Sequence, residues 1–243
     1  MKVAVVIPAC NEERAIGKVV AAIPRPPVSA IIVVNNNSSD HTAEVARAAG
    51  AQVVEEPRAG YGAACLTGVN AAEQLGADLI VFLDGDYSDY PEEIPELIAP
   101  ILAAQADMVI GSRILGQREP GSLTPQQRFG GWLACRLMKL FFGAQYTDLG
   151  PFRAITLPAL RRLNMQDRNY GWTVEMQIKA ARAGLRVQEI PVRYRRRIGV
   201  SKVSGTVKGV FMAGCKILWT IFKYAVQTAP QGVESGERRH VAG

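Results

Sequence analysis

Three features of the sequence predict an α/β fold built on a mainly parallel sheet. Over the first 110 residues, short apolar segments alternate with helical patterns across short connections. The apolar segments are continuous rather than alternating, as strands covered on both faces must be. Each is followed by a polar cluster, at the end of the strand where open α/β sheets place their ligands.

Residues 3–7 (Val-Ala-Val-Val-Ile) read as the first strand, stopped by Pro8, and Asn11 as the cap of a helix carrying Ile16, Val19, Val20 and Ile23. Residues 30–34 form the second strand, and Ser38-Ser39-Asp40 opens a helix that Gly50 ends. Residues 52–54 are a short third strand. After a glycine-rich loop, residues 63–75 are helical and Gly76 closes them. Residues 79–83 form an apolar strand running into Asp84-Gly85-Asp86, and a helix at 92–104 and a strand at 108–110 follow.

Beyond residue 115 the pattern changes. Thr124-Pro125-Gln126-Gln127 supplies a cap, a proline at the first helical position and a glutamine three residues after the cap. The helix it opens carries Phe129, Trp132, Leu133, Leu137, Leu140 and Phe141 on one stripe, with Arg128, Arg136 and Lys139 elsewhere. A helix near 173–183, a strand at 185–192, a basic run at 193–197 and a helix at 205–226 complete the reading. We expect one domain over 1–228, in halves 1–113 and 114–228, and a flexible tail at 229–243.

Composition narrows the class. With 48% hydrophobic and 21% charged residues, the 243-residue chain is neither disordered nor collagen-like. Cys10, Cys65, Cys135 and Cys215 form no Cys-x-x-Cys pair, which argues against structural zinc and for reduced thiols in the cytoplasm. No signal peptide is expected. The most apolar helix, 205–226, is interrupted by Lys208, Lys216 and Lys223, whereas a spanning helix needs about 20 nearly uncharged residues.

Charge is unevenly divided. Residues 1–120 hold 8 basic and 16 acidic groups, net −8, while residues 121–243 hold 20 and 6, net +14. A cation on the first half and an anionic partner on the second are the natural expectation. No nucleic-acid-binding motif accompanies the basic half, so nucleic acid is not expected as the partner.

The sharpest chemical signal is Asp84-Gly85-Asp86. Two carboxylates one residue apart at the end of a buried strand repel each other unless a cation joins them. Mg2+ or Mn2+ suits such oxygens and shares its other positions with phosphate and water. Arg58-Ala59-Gly60-Tyr61-Gly62-Ala63 precedes a helix, and its small residues leave room for backbone N–H groups to approach a phosphate. Cys65 stands at the third glycine position of Gly-x-Gly-x-x-Gly, which excludes the dinucleotide fingerprint.

Five segments stand in a telling order: Val6-Ile7-Pro8-Ala9-Cys10-Asn11-Glu12-Glu13, Val33-Val34-Asn35-Asn36-Asn37-Ser38-Ser39-Asp40, Gly60-Tyr61-Gly62-Ala63, Phe82-Leu83-Asp84-Gly85-Asp86 and Ile110-Gly111-Ser112-Arg113. With Gly199-Val200-Ser201-Lys202, they make the chain resemble family 2 glycosyltransferases over about residues 2–225, in particular the polyprenyl-phosphate branch with dolichyl-phosphate mannose and glucose synthases. The resemblance implies a GT-A fold ending in amphipathic helices and an inverting transfer of a hexose from a UDP- or GDP-sugar to a polyprenyl phosphate. It implies a nucleotide-sugar pocket from Pro8, Ala9, Asn11, Glu12, Asn35, Asn37, Arg58, Gly62, Asp84, Gly85 and Asp86, with Mg2+ or Mn2+ on Asp84 and Asp86. The acceptor phosphate would meet Ser112, Arg113, Arg128, Arg195, Arg197 and Lys202, of which Arg113, Arg128 and Lys202 join Asp86 as catalytic residues.

Three departures stand out. Asn35 replaces the family's usual Asp, Ser88 stands where some relatives have Gln beside the metal, and Leu149-Gly150-Pro151-Phe152-Arg153 replaces Ser-Gly-Phe-Arg. A phosphate acceptor is already anionic and needs no strong base. A hydroxyl acceptor would need one, with Asp148 or Glu175 as candidates, and a non-catalytic nucleotide- or polyanion-binding protein would need neither. The lysines of helix 205–226 and the stripe of 129–141 give the profile of helices lying in a membrane interface. The expected enzyme is peripheral at the inner face of the membrane, with a homo-oligomer left open.

Overall fold

The computed structural model describes residues 1–199 and 207–227. Strands β1 (Val3–Ala9), β2 (Val28–Asn35), β3 (Gln52–Glu55), β4 (Leu79–Phe82), β5 (Met108–Ser112), β6 (Arg153–Thr156) and β7 (Val187–Pro191) form one sheet in the order β3-β2-β1-β4-β6-β5-β7. Only β6 runs antiparallel, between β4 and β5. Successive residues of a strand face opposite sides. Val3, Val5 and Ile7 therefore pack with α1 (Ile16–Ala22) and α4 (Ile94–Leu102), while Ala4 and Val6 pack with α3 (Tyr61–Gln74) and α7 (Trp172–Arg182). All four residues of β4 are buried, and Phe82 meets Trp172 edge-on at 5.9 Å. Burying such a side chain contributes about 1.5–3 kcal/mol.

The remaining helices are α2 (Thr42–Ala48), α5 (Pro125–Phe142), α6 (Leu157–Leu163) and α8 (Val207–Val226). The capping box read at Thr124 and Gln127 is present in full, and Gly143 ends α5 in the left-handed region at φ 66°. Asn11 is not a helix cap. At φ 52° it turns the chain, its backbone N–H donates to Ser38 and its side chain accepts from the Ser39 N–H, so it ties the loop after β1 to the loop after β2.

The antiparallel β6 and helix α6 escape the sequence reading. Four residues opening on an arginine carry no strand signal, yet Arg153 is 1% exposed and donates to the carbonyls of Leu149, Gly150 and Thr173. Burial pulls its pKa down to about 10, which still leaves it charged at neutral pH. The stripe read on α5 lies largely at the surface, and smaller residues face the protein. Ala134, Cys135 and Met138 pack with Val174, Ile178, Ile221 and Tyr224 of α7 and α8, whereas Phe129, Trp132, Leu140 and Phe141 are exposed.

Candidate active site

Two concavities lie beyond the carboxyl ends of the strands. A cavity of about 370 Å3 is lined by Pro8, Ala9, Glu12, Asn36, Asn37, Gly60, Tyr61, Asp84, Gly85, Asp86, Tyr170 and Arg197, among others. A groove of about 910 Å3 runs between α5, α8 and the chain at 145–149, with Arg113, Arg128, Arg136, Lys139 and Asp148 in its lining. The acidic and basic halves of the chain meet here, although Tyr170 and Arg197 cross over to the first cavity.

The carboxylate pair is placed as its spacing suggests. Asp84 accepts from the Tyr61 hydroxyl at 3.1 Å, and burial followed by the neighbouring Asp86 charge pushes its pKa up to about 6. Asp86, 6% exposed, accepts on Oδ1 from the backbone N–H and hydroxyl of Ser88. Ser88 thus orients Asp86. Among the described residues no third His, Cys, Asp or Glu completes a metal-binding cluster. Two carboxylates one residue apart, Asp86 buried and Asp84 half-buried with a raised pKa, fit a divalent ion that completes its shell with phosphate and water.

A stability prediction follows from Asp84. Its folded pKa lies above the unfolded value, so the native state binds more protons between about pH 4 and 6, and stability from this group falls as pH rises through that window. Thermal melts in EDTA are expected to show this fall as the difference between wild type and Asp84→Asn, and Mn2+ to raise the wild-type melting temperature more at pH 7.5 than at pH 5. Equal Mn2+ effects at both pH values would contradict it.

Behind the pair sits a third carboxylate. Asp89 is 1% exposed, and among the described residues neither oxygen has a hydrogen-bond partner. Burial and the Asp84 and Asp86 charges push its pKa well above the carboxylate range. It does not cap the following helix.

Other expected donor residues are placed differently. Asn35 turns from the cavity to donate to Glu55 at 2.7 Å, and its place in the wall is taken by Asn36, which donates to the carbonyls of Glu56 and Arg58 and accepts from the Gly60 N–H. Asn37, in the left-handed region at φ 60°, does line the cavity, whereas Arg58 is exposed outside that lining. Gly62 makes room for protein rather than phosphate. A Cβ there would lie 2.1 Å from the Asp167 carbonyl oxygen, and the neighbouring Ala63 N–H donates to the Arg168 carbonyl. Nothing in the sequence pattern signals that the 167–168 backbone covers the start of α3.

In the wall of the larger groove, Arg113 grips Asp148 through Nε at 2.7 Å and Nη2 at 2.8 Å, and its backbone N–H donates to the same carboxylate. Burial opposes both charges, but the pairing wins: Arg113 is held firmly protonated and Asp148 below the usual carboxylate range. Arg128 is exposed on the first turn of α5, in the wall of the same groove. Ser112 is fully buried, with its hydroxyl against Thr147 at 2.7 Å, so it shapes the turn rather than facing the groove. Arg195 also faces elsewhere: it donates to the carbonyls of Tyr87 and Asp89 and stacks on Tyr87 and Tyr90. Arg197 lies in the smaller cavity, on Glu12 and Asp86. Lys202 lies outside the described residues.

Glu175 is a structural node. It is 1% exposed and binds Lys179 at 2.8 Å, the Tyr224 hydroxyl at 2.7 Å and the backbone N–H groups of Gln166 and Asp167. Glu175→Gln is expected to lower stability by about 2 kcal/mol, or ~4–8 °C in melting temperature, with the turnover of the folded protein retained. Lost turnover with unchanged stability would instead mark it as a base.

The profile of glycosyl transferase family 2 matches residues 4–165. The chain belongs to that family. It is a glycosyltransferase of the GT-A fold. An uncharacterised glycosyltransferase of Mycobacterium tuberculosis is 38% identical over 214 residues, 87% of this chain and 94% of that one. The dolichyl-phosphate hexose transferase of Haloferax volcanii is 33% identical, covering 82% and 86%, and the undecaprenyl-phosphate mannosyltransferase of Micrococcus luteus is 29% identical, covering 86% and 90%. In fold, the chain matches glucosyl-3-phosphoglycerate synthase of Mycobacterium tuberculosis, solved with Mn2+, UDP and phosphoglyceric acid, at a TM-score of 0.75 and 23% identity, over 95% of this chain and 80% of that one.

Proposed function

We propose that this enzyme moves a hexose, with inversion, from a UDP- or GDP-sugar in the smaller cavity to a polyprenyl phosphate in the larger groove. The observation that carries the acceptor class is the state of the two candidate bases. Asp148 is bound by Arg113 and held at a low pKa, and Glu175 is buried among four donors, so neither is suited to deprotonate a hydroxyl. Glu189, also in the groove lining, is taken up by the backbone N–H groups of Thr147 and Asp148. A phosphate monoester needs no such help, since its second pKa lies near 6. What it needs is cations, and Arg113, Arg128, Arg136 and Lys139 line the groove. The relatives named for undecaprenyl and dolichyl phosphates support the same reading.

Asp84 and Asp86 would hold Mg2+ or Mn2+, which when bound would offset the charge that develops on the departing diphosphate. Tyr61 orients Asp84, Ser88 orients Asp86, and Asp148 fixes the Arg113 guanidinium at the groove wall. Incubation with UDP-glucose or GDP-mannose, a short polyprenyl phosphate and Mn2+ tests the reading. Sugar recovered in the organic phase supports it; donor hydrolysis alone counts against it.

The lipid tail also needs a surface. Among the described residues no helix is long and apolar enough to cross a membrane. Phe129, Trp132, Leu140, Phe141, Trp219 and Phe222 are nonetheless exposed along α5 and α8. Lys216 does not add a free charge, because it pairs with Asp167 at 2.8 Å. The apolar side chains are therefore the better handle. Trp132→Ser with Trp219→Ser is expected to reduce co-sedimentation with anionic liposomes several-fold and to leave the melting temperature within about 2 °C. Wild-type protein that never sediments at low salt would count against peripheral attachment.

A further inference from the structure

The chain after β7 brings its own cation to the carboxylate pair. Arg197 places Nη1 3.1 Å from Asp86 Oδ2, and its Nη2 donates to Glu12 Oε1 at 2.8 Å. Ser88 already occupies Oδ1 of Asp86, so Arg197 sits on the oxygen that a metal arriving from the cavity would meet. The backbone around it is stitched to the Asp86 loop: the Ile198 N–H donates to the Asp86 carbonyl and the Arg195 N–H to the Ser88 carbonyl, both at 2.9 Å. Arg195 adds its stack on Tyr87 and Tyr90, at 3.4 and 4.0 Å from the ring centres. With the backbone held by these two bonds, a shift of the Arg197 side chain is enough to uncover Asp86 Oδ2.

Resting on the donor-site reading above, we propose that Arg197 is an internal counter-ion that competes with the divalent ion for Asp86 and passes to the donor diphosphate when metal and nucleotide enter together. The charge balance gives the device its direction. A metal arriving alone must displace Arg197 from Asp86, leaving the guanidinium with Glu12. A metal arriving with a nucleoside diphosphate offers the guanidinium phosphate oxygens in exchange, and the planar fork of arginine matches them. Metal and nucleotide therefore bind with positive coupling, and by linkage each raises the affinity of the other by the same factor. Glu12 remains the pivot. The site holds a free cation weakly and the metal–nucleotide pair tightly.

Mn2+ affinity, read from the electron paramagnetic resonance of the free ion, tests this without turnover. Wild type, Arg197→Gln, Arg197→Met and Arg197→Lys are compared with and without saturating UDP, with thermal melts to show that each variant is folded. In wild type, UDP is expected to raise Mn2+ affinity tenfold or more. Arg197→Gln and Arg197→Met are expected to bind Mn2+ alone about tenfold more tightly than wild type and to gain less from UDP, while Arg197→Lys stays close to wild type. A purely structural role for Arg197 would not tighten metal binding. Unchanged or weaker Mn2+ binding by the Gln and Met variants overturns the counter-ion, and a wild type that binds no UDP at any Mn2+ concentration overturns the donor-site reading instead.

Discussion

Asp86→Asn is expected to lower glycosyl transfer about 1,000-fold or more, equivalent to roughly 4 kcal/mol of barrier. The carboxylate sits on the loop after β4, oriented by Ser88 between the Arg197 guanidinium and the Asp84 carboxyl, so removing its charge weakens the hold of the pair on a cation. The folded state should tolerate the change, because asparagine keeps an oxygen for the Ser88 donors. Chelation of the wild type should mimic the loss and added Mg2+ or Mn2+ should restore it. Full activity of metal-stripped enzyme would remove the metal from the account.

Arg113→Ala carries the second large effect, and it has two parts. Each charge-assisted hydrogen bond to the acceptor phosphate is worth roughly 1.5–3 kcal/mol, so acceptor kcat/KM should fall tenfold to more than a hundredfold while donor affinity holds. Asp148 would also be left buried without its guanidinium. Breaking such a pair costs about 3–5 kcal/mol, so the melting temperature should drop by roughly 10 °C and kinetics need a temperature below that. Arg128→Ala, at an exposed position of the same groove, should reproduce the kinetic loss with little change in stability. If either variant lost nucleotide-sugar affinity instead, the assignment of the two concavities would be reversed.

The centre of the sheet was legible because β1, β4 and the second half of β2 are continuous apolar runs, and because Gly50 and Gly76 stop their helices at positive φ. Asp84 and Asp86 were legible for the same reason: charge at the end of such a strand has few explanations. Local pattern could not show partners brought from far along the chain. Asn35 and Arg195 look like site residues until Glu55 and the Tyr87–Tyr90 stack are in place around them. Arg153 looks like a surface residue until three carbonyls converge on it. The direction of the α5 stripe depends on which face α7 and α8 cover, and helical periodicity alone cannot choose between a core and an interface.

The central claim is that the acceptor is a phosphate and that no protein base is required. Initial rates with a short polyprenyl phosphate, the parent polyprenol and free hexoses, measured with one donor and Mn2+ from pH 6 to 9, test it most directly. Transfer is expected to the phosphate alone, at a rate that rises as its second ionisation completes near pH 6 and then stays level. Transfer to the alcohol or to a hexose, with the polyprenyl phosphate inert, would contradict it.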